Sequence, residues 1–328
     1  MSEKTPQSTI AVTGATGFVG RHIVARLLEK GCRVRALSRS SEKAREVLDQ
    51  GAIDDGRISL CPGTLEDPDA LRHLVEGCDA CINLVGIIRE TTGQSFEQVH
   101  LDGTRAITQA CRQFDPQMRY VQMSALGVGP DKRAGYRDTK HRAEQTVRNS
   151  GLPWTIIRPC LVHGPGGEFT GMVVDWVRGK APPYLFIPYF SRWKQGRFGF
   201  EAPSIAPVFV EDVARVFVDS LHIDATIGKN YDLAGSQTLP FPEMFKVYAK
   251  HISPQPKNRP AIGLPWFVGA WKARIAKLIG LGRLLPFDEG MAIMGGRDSI
   301  SDNASVIADF GFKPAEFEAS LQTYADRL

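Results

Sequence analysis

Tyr136 and Lys140 lie four residues apart in a stretch, Tyr136 to Asn149, that reads as a helix, so one face carries both side chains. A free tyrosine, with a pKa near ~10, is a poor acid or base at neutral pH. A lysine ammonium beside it favours the phenolate and draws that value towards working pH. The pair therefore predicts proton transfer. Ser124 falls just past an expected parallel strand, Arg119 to Met123, at the carboxyl edge where parallel sheets bind ligands. Alone, a tyrosine and lysine at this spacing also suit a solvated helix face, and the surrounding elements decide between the two.

Those elements begin with Thr9-Ile10-Ala11-Val12, a short strand that runs into Gly14-Ala15-Thr16-Gly17-Phe18-Val19-Gly20. Behind it Phe18, Val19, Ile23, Val24, Leu27 and Leu28 recur at helical spacing, and Gly31 follows as a stop. In such a turn Gly14 allows the tight bend, Gly17 lets backbone amides approach a pyrophosphate, and Gly20 lets the helix lie close on the strand. The helix N-terminus adds partial positive charge and free N–H donors. A plain strand–helix turn is the alternative to this dinucleotide cradle. The second strand, Arg33 to Ser38, ends without the acidic residue that would bind a ribose 2′-hydroxyl. Arg39 stands there instead and suits a 2′-phosphate through charge-assisted hydrogen bonds. NADP(H) is therefore expected ahead of NAD(H), with a solvated surface arginine as the alternative.

The beat repeats. Strands at Ile58 to Cys61, Cys81 to Val85, Arg119 to Met123 and Trp154 to Arg158 alternate with helices around Asp67 to Glu76, Phe96 to Phe114 and Tyr136 to Asn149. Such alternation gives an α/β fold, a Rossmann-type doubly wound parallel sheet. Residues 159–207 turn rich in glycine, proline and aromatics; Val208 to Asp212 reads as a strand ending in a helix cap, with a helix through Leu221. The tail from Ser236 shows helices broken by proline and no clear strand run. The expected division is a dinucleotide-binding domain over 1–164, completed by about 201–235, and a smaller, mostly helical C-terminal substrate lobe over 165–200 and 236–328. Within it, Pro265 to Ile279 mixes Trp266, Phe267 and Trp271 with Lys272, Arg274 and Lys277. A basic amphipathic helix with tryptophan can lie in a membrane interface. Aromatics at helical spacing more often pack as core with their cations outward, and that is the expectation here.

Composition removes other classes. A chain of 328 residues, 43% hydrophobic and 23% charged, is an ordinary globular protein. A net charge of +4 is too small to argue for nucleic acid. No stretch reaches the ~18 consecutive apolar residues of a spanning helix, and Met1 to Ser8 carries no signal pattern. A cytoplasmic protein follows, at most peripheral on the inner face of a membrane. Six cysteines are scattered through the first half without histidine at metal-ligand spacing, so no metal site is expected. Cys78 and Cys81 form a C-x-x-C, but Cys81 opens an apolar run and reads as a core thiol.

Further stretches carry a resemblance: Cys81-Ile82-Asn83-Leu84-Val85-Gly86, Val99-His100-Leu101-Asp102-Gly103-Thr104, Met123-Ser124-Ala125-Leu126-Gly127, Trp154-Thr155-Ile156-Ile157-Arg158-Pro159, Pro207 to Ala214 and Tyr231-Asp232-Leu233-Ala234-Gly235. With the glycine turn and Ser124, Tyr136 and Lys140, these resemble the atypical branch of the short-chain dehydrogenase/reductase superfamily. That branch contains the NAD(P)H-binding accessory subunit of respiratory complex I and its bacterial relatives. The likeness covers nearly the whole chain and is strongest up to about Ala214. It implies that Tyr136 exchanges a proton with substrate oxygen, Lys140 tunes Tyr136 and binds the nicotinamide ribose, and Ser124 polarises the carbonyl. It also implies a nucleotide site lined by Gly14, Thr16, Gly17, Phe18, Val19, Gly20, Ser38, Arg39, Leu65, Val85, Gly86, Lys140 and Pro159. Two residues depart from the pattern. His100 stands where extended enzymes usually carry the asparagine of a proton relay, and Thr64 where relatives commonly carry an aspartate near the adenine. The resemblance leaves two main functions: an NADP(H)-dependent oxidoreductase acting on a carbonyl, alcohol or lipophilic quinone-like substrate, or a nucleotide-holding structural or assembly protein of a respiratory or quinone-making complex. Isomerase or epimerase chemistry through transient oxidation is a third.

Overall fold

In the computed structural model, residues 8–130, 135–194, 196, 198–254, 256, 258–278 and 287–328 are described. The polar opening before Ser8, and Ile279 at the end of the expected interfacial helix, lie outside them. The chain opens with β1 (Thr9–Thr13), α1 (Phe18–Glu29) and β2 (Arg33–Ser38), then the short helices α2 (Ser41–Val47) and α3 (Gln50–Asp54). Next come β3 (Ile58–Pro62), α4 (Pro68–Val75), β4 (Ala80–Asn83), a π-helical turn over Glu97–Asp102 that runs into α5 (Gly103–Phe114), and β5 (Arg119–Met123). α6 (Gly135–Arg148), β6 (Trp154–Pro159), β7 (Val162–His163) and α7 (Glu168–Arg178) lead to β8 (Ile187–Trp193). β9 (Phe200–Glu201), β10 (Ser204–Ile205), β11 (Val208–Phe209), α8 (Val210–Asp219), β12 (Lys229–Leu233), β13 (Leu239–Pro240) and α9 (Phe241–His251) follow. β14 (Ala261–Pro265), α10 (Trp266–Leu278), α11 (Glu289–Gly295), α12 (Ala304–Phe310) and α13 (Phe317–Gln322) complete the sequence.

Seven strands pair in parallel in the order β12-β6-β5-β4-β1-β2-β3. The order reverses between β1 and β4, and the crevice outside their carboxyl ends is where such sheets take ligands. Alternation along β1 shows why its residues are apolar on both faces. Ile10 and Val12 pack with Ile23 and Leu27 of α1 and Phe217 of α8; Ala11 packs with Leu71 and Leu74 of α4, Ile107 of α5 and Val147 of α6. A buried polar ladder ties the strands just below the crevice. Thr13 Oγ1 donates to Asn83 Oδ1, Asn83 Nδ2 donates to Gln122 Oε1 at 3.0 Å, and the Tyr120 hydroxyl donates to the same oxygen at 2.8 Å.

The main hydrophobic cluster does not stop at residues 165 or 236. Val173 and Val177 of α7, Tyr248 of α9, Val306 of α12, Phe317 and Leu321 of α13, and Tyr324 belong to the same cluster as β1. Tyr324 is fully buried with its hydroxyl 2.8 Å from His163 Nδ1, and burial takes His163 down to about 3, so it is neutral. A smaller unit has an apolar centre of its own: β14 parallel to β8, β9 antiparallel to β8, and α10 with α11 around Ala270, Ala292 and Ile293, with Ile187 of β8 reaching into the main cluster. The expectation of no strand in the tail fails at β14. Its sequence, Ala-Ile-Gly-Leu-Pro, is extended because it pairs with β8 from Ala261 to Pro265, a tertiary partner that glycine and proline do not advertise.

Helix α10 corrects a second expectation. It buries Gly269, Ala270 and Ala273 and turns Phe267 and Trp271 outward. The reason is steric. A Cβ at Gly269 would come 2.5 Å from the Phe190 ring, so that position has no room for a side chain; Trp266 packs inward beside Ala270, while Phe267 and Trp271 take the other side. Among the described residues no helix is long and apolar enough to cross a membrane, and no cluster of three or more His, Cys, Asp or Glu could hold a metal ion. All six cysteines are free, buried thiols.

Candidate active site

The glycine turn follows β1 directly. Gly14 has a φ of +71°, a left-handed conformation that side chains resist. At Gly20 a Cβ would lie 2.1 Å from the Gly14 carbonyl oxygen, so a larger residue would push α1 off the turn. Gly17 precedes α1 with no side-chain cap, and the first turn of α1 holds no acidic residue. The first N–H groups of α1 are therefore left for an anion.

The other expected nucleotide residues sit along the same sheet edge. Val85 and Gly86 follow β4, and the Val85 amide reaches Asn83 Oδ1 at 3.4 Å. Ser38 is buried and its hydroxyl donates to the Ser40 carbonyl at 2.8 Å, so Ser38 shapes the bend after β2. Arg39 is exposed just beyond it. Leu65 leans on the start of α5, where a Cβ at Gly103 would come 2.7 Å from its Cδ1. Pro159 is buried at the end of β6, two strands removed from β4, with its carbonyl accepting from the Leu126 amide at 2.9 Å. Gly14 to Gly20, Val85, Gly86 and Lys140 thus gather at the crevice, with Arg39 and Pro159 towards either flank.

Tyr136 and Lys140 project from the first turns of α6. The Tyr136 ring stands edge-on to His100 (centroids 5.3 Å) and to Phe96 (5.7 Å), which stack on each other at 5.4 Å. Lys140 is buried; its ammonium donates to the Met123 carbonyl at 3.3 Å and fills space beside Gly86, where a Cβ would lie 2.8 Å from Nζ. Burial lowers Lys140 to about 8, only partly offset by Glu144, and burial raises Tyr136 to about 12. The expected lowering of the tyrosine is absent here. The lysine loses water at the same place as the phenol, and desolvation decides both. His100 is buried, with Nδ1 3.0 Å from Thr139 Oγ1 and Nε2 in reach of the Ile87 amide and carbonyl. Burial and the neighbouring Lys140 charge take it down to about 2, so the ring is neutral.

Ser124 departs from its expected role. Its hydroxyl donates to Glu144 Oε1 at 2.6 Å rather than standing free to polarise a carbonyl. Glu144 has no exposed surface and also accepts from Arg158 Nε (2.8 Å) and Nη2 (2.6 Å) and from Arg148 Nη2 (3.0 Å). Burial pushes this carboxyl up, but the bonds from Arg158, Ser124 and Arg148 outweigh it and hold it below its usual value. An ionised carboxylate one turn below Lys140 is the strongest acceptor in reach of Ser124, which explains the choice. Sequence reasoning missed Glu144 although a signal was present: Tyr136, Lys140, Glu144 and Arg148 recur at intervals of four along one face of α6.

The cradle fits a dinucleotide: a turn closed by glycines that a Cβ would obstruct, an uncapped helix start without acid, and a buried cation beside Gly86. Comparison with known proteins agrees. Residues 14–171 match the NAD(P)H-binding family. A ceramide reductase of Caulobacter vibrioides is 32% identical over 65% of this chain and 60% of its own length. The 40 kDa subunit of the mitochondrial NADH-ubiquinone oxidoreductase of Neurospora crassa is 28% identical over 78% of this chain and 63% of its own. The matched regions thus span less than two thirds of either relative. The UDP-glucose 4-epimerase of Thermotoga maritima shares the fold, with a TM-score of 0.68 at 16% identity over 96% of both chains.

Proposed function

From the premise that this chain is a Rossmann-type, NAD(P)H-binding relative of the short-chain dehydrogenases/reductases and of the complex I 40 kDa subunit, we propose that it is an NADP(H)-dependent reductase of a lipophilic carbonyl or quinone-like compound. The observation that carries this reading is Lys140 held between Gly86 and the Met123 carbonyl, one helical turn from Tyr136, at the crevice edge. Gly14 to Gly20 would hold the pyrophosphate and Lys140 a ribose hydroxyl; the exposed Arg39 supports a 2′-phosphate. The bound nicotinamide supplies a hydride. Tyr136, at about 12, keeps its proton at neutral pH and can hand it to the substrate oxygen as that oxygen gains charge, which favours reduction over oxidation. Phe96 and His100 fix the ring that carries this proton, and Ser124 anchors α6 through Glu144. A lipophilic substrate is supported by the similarity to a ceramide reductase.

Tyr136→Phe tests the assignment because it keeps the ring against His100 and Phe96 and removes only the ionisable oxygen. NADPH affinity should persist while turnover of lipid ketones or quinones falls by the ~10²–10⁴-fold of a lost general acid. A rate equal to wild type refutes the mechanism. A second reading, a nucleotide-holding subunit, draws on Ser124 being engaged by Glu144 and on the likeness to the 40 kDa subunit. It predicts NADPH binding without turnover, and complex assembly unaffected by Tyr136→Phe.

A further inference from the structure

The β8–β9 tip and α10 share an uncovered aromatic face. Trp193 meets Phe198 (centroids 5.4 Å) and Phe200 (5.1 Å), and Phe200 meets Phe267 of α10 (6.1 Å). Trp271 and Leu278 continue the outward side of α10 beyond Phe267. Phe198 is 94% exposed, Leu278 79% and Trp271 63%. Hydrophobic side chains scattered singly over a surface need no explanation, but contiguous rings facing water mark an interaction site.

Charge identifies the occupant. In the sequence, the stretches 176–200 and 252–287, within which these rings fall, hold 11 of the chain's 40 Lys and Arg and none of its 36 Asp and Glu. The rest of the chain is left with 29 basic and 36 acidic side chains, a net charge of −7. Lys194, Lys272 and Arg274 lie beside the rings without a carboxylate partner among the described residues, whereas Arg192 is paired with Glu201 and Asp298. A protein interface sets register by alternating signs and keeps lysine out of its centre. One sign, unpaired and interleaved with tryptophan, instead matches a uniform sheet of negative charge with an apolar layer beneath.

We propose that this face seats the protein on an anionic bilayer surface, the rings at the headgroup–acyl boundary and the cations on lipid phosphates. The docking is independent of turnover, although it would bring the lobe to a lipophilic substrate. The test is co-sedimentation of the full chain with vesicles of phosphatidylcholine alone or mixed with phosphatidylglycerol. Wild type should pellet with the anionic vesicles at low salt, with a blue shift in tryptophan emission, and release as salt rises. Phe198→Ser with Trp271→Ser should weaken partitioning roughly tenfold or more, as buried apolar area is lost. Lys272→Gln with Arg274→Gln should weaken it roughly 25-fold, about fivefold per cation. NADPH affinity without vesicles should match wild type in both double variants, so a failure of docking is distinguishable from a failure of the reductase reading. Wild type that stays in solution with anionic vesicles at low salt overturns the proposal. So does a dimer abolished by Trp271→Ser without vesicle binding, which would give the face to a second copy of the chain.

Discussion

Lys140 is a cation kept where little water reaches it, and its stability balance can be read from the shift. Its folded value of about 8 lies below the ordinary 10.5. Between these pH values the unfolded chain holds a proton that the folded chain has lost, so stability rises with pH across that window, and at neutral pH the charged form is a liability. Lys140→Met should therefore raise the nucleotide-free stability at pH 7 by about 1–3 kcal/mol, because the buried charge is removed and only the hydrogen bond to Met123 is lost with it. Urea unfolding would measure the gain, and NADPH affinity and turnover should fall in the same variant. In wild type, NADPH affinity should weaken as pH rises through about 8 and the ammonium loses its charge. Stabilisation coupled to loss of function marks a residue kept for its chemistry. At this scale, spacing showed which residues share a face. It did not show what burial does to Tyr136, because desolvation depends on neighbours such as Phe96 and His100 that are distant in the chain.

Helix α6 is an amphipathic element whose inner face is largely polar, and it stays in place because that face is anchored. Glu144 joins it to Ser124 beyond β5 and to Arg158 of β6. Glu144→Gln removes the charge that holds two arginines and a hydroxyl. Arg148 and Arg158 are partly exposed, so a loss of about 2–3 kcal/mol is expected, below the full cost of a broken interior pair. Thermal unfolding at pH 7 would register it. The difference should shrink as pH falls and wild-type Glu144 takes up its proton, since its folded value lies below that of the unfolded chain. A stability equal to wild type at every pH would show that the anchor contributes nothing. Elements with a strong local period, such as β1, α1 and α6, were legible in the sequence. β14 was not, because its conformation comes from β8. Nor was the outward side of α10, because helical spacing does not say which of two faces is inward until Phe190 fills one of them.

Across the whole molecule, one hydrophobic cluster joins the nucleotide half to residues near the other end of the chain. Phe317, Leu321 and Tyr324 have no exposed surface, and burial of each is worth about 1.5–3 kcal/mol. Their sum rivals the ~5–15 kcal/mol by which a typical domain is stable. A chain ended at Ala315 should therefore show no cooperative melting transition by circular dichroism and should not bind NADPH, although none of the missing residues belongs to the glycine turn. Retained NADPH binding in that truncation would mean that the nucleotide half folds alone.

The same burial fixes an order in time. A ribosome releases about 5–20 residues each second, from the N-terminus onward. The apolar surface around His163, Phe209 and Tyr248 stays uncovered until Phe317 and Tyr324 have left the exit tunnel. Apolar surface made around His163 must wait, shielded by chaperones or by transient collapse, for a partner that follows 161 residues later.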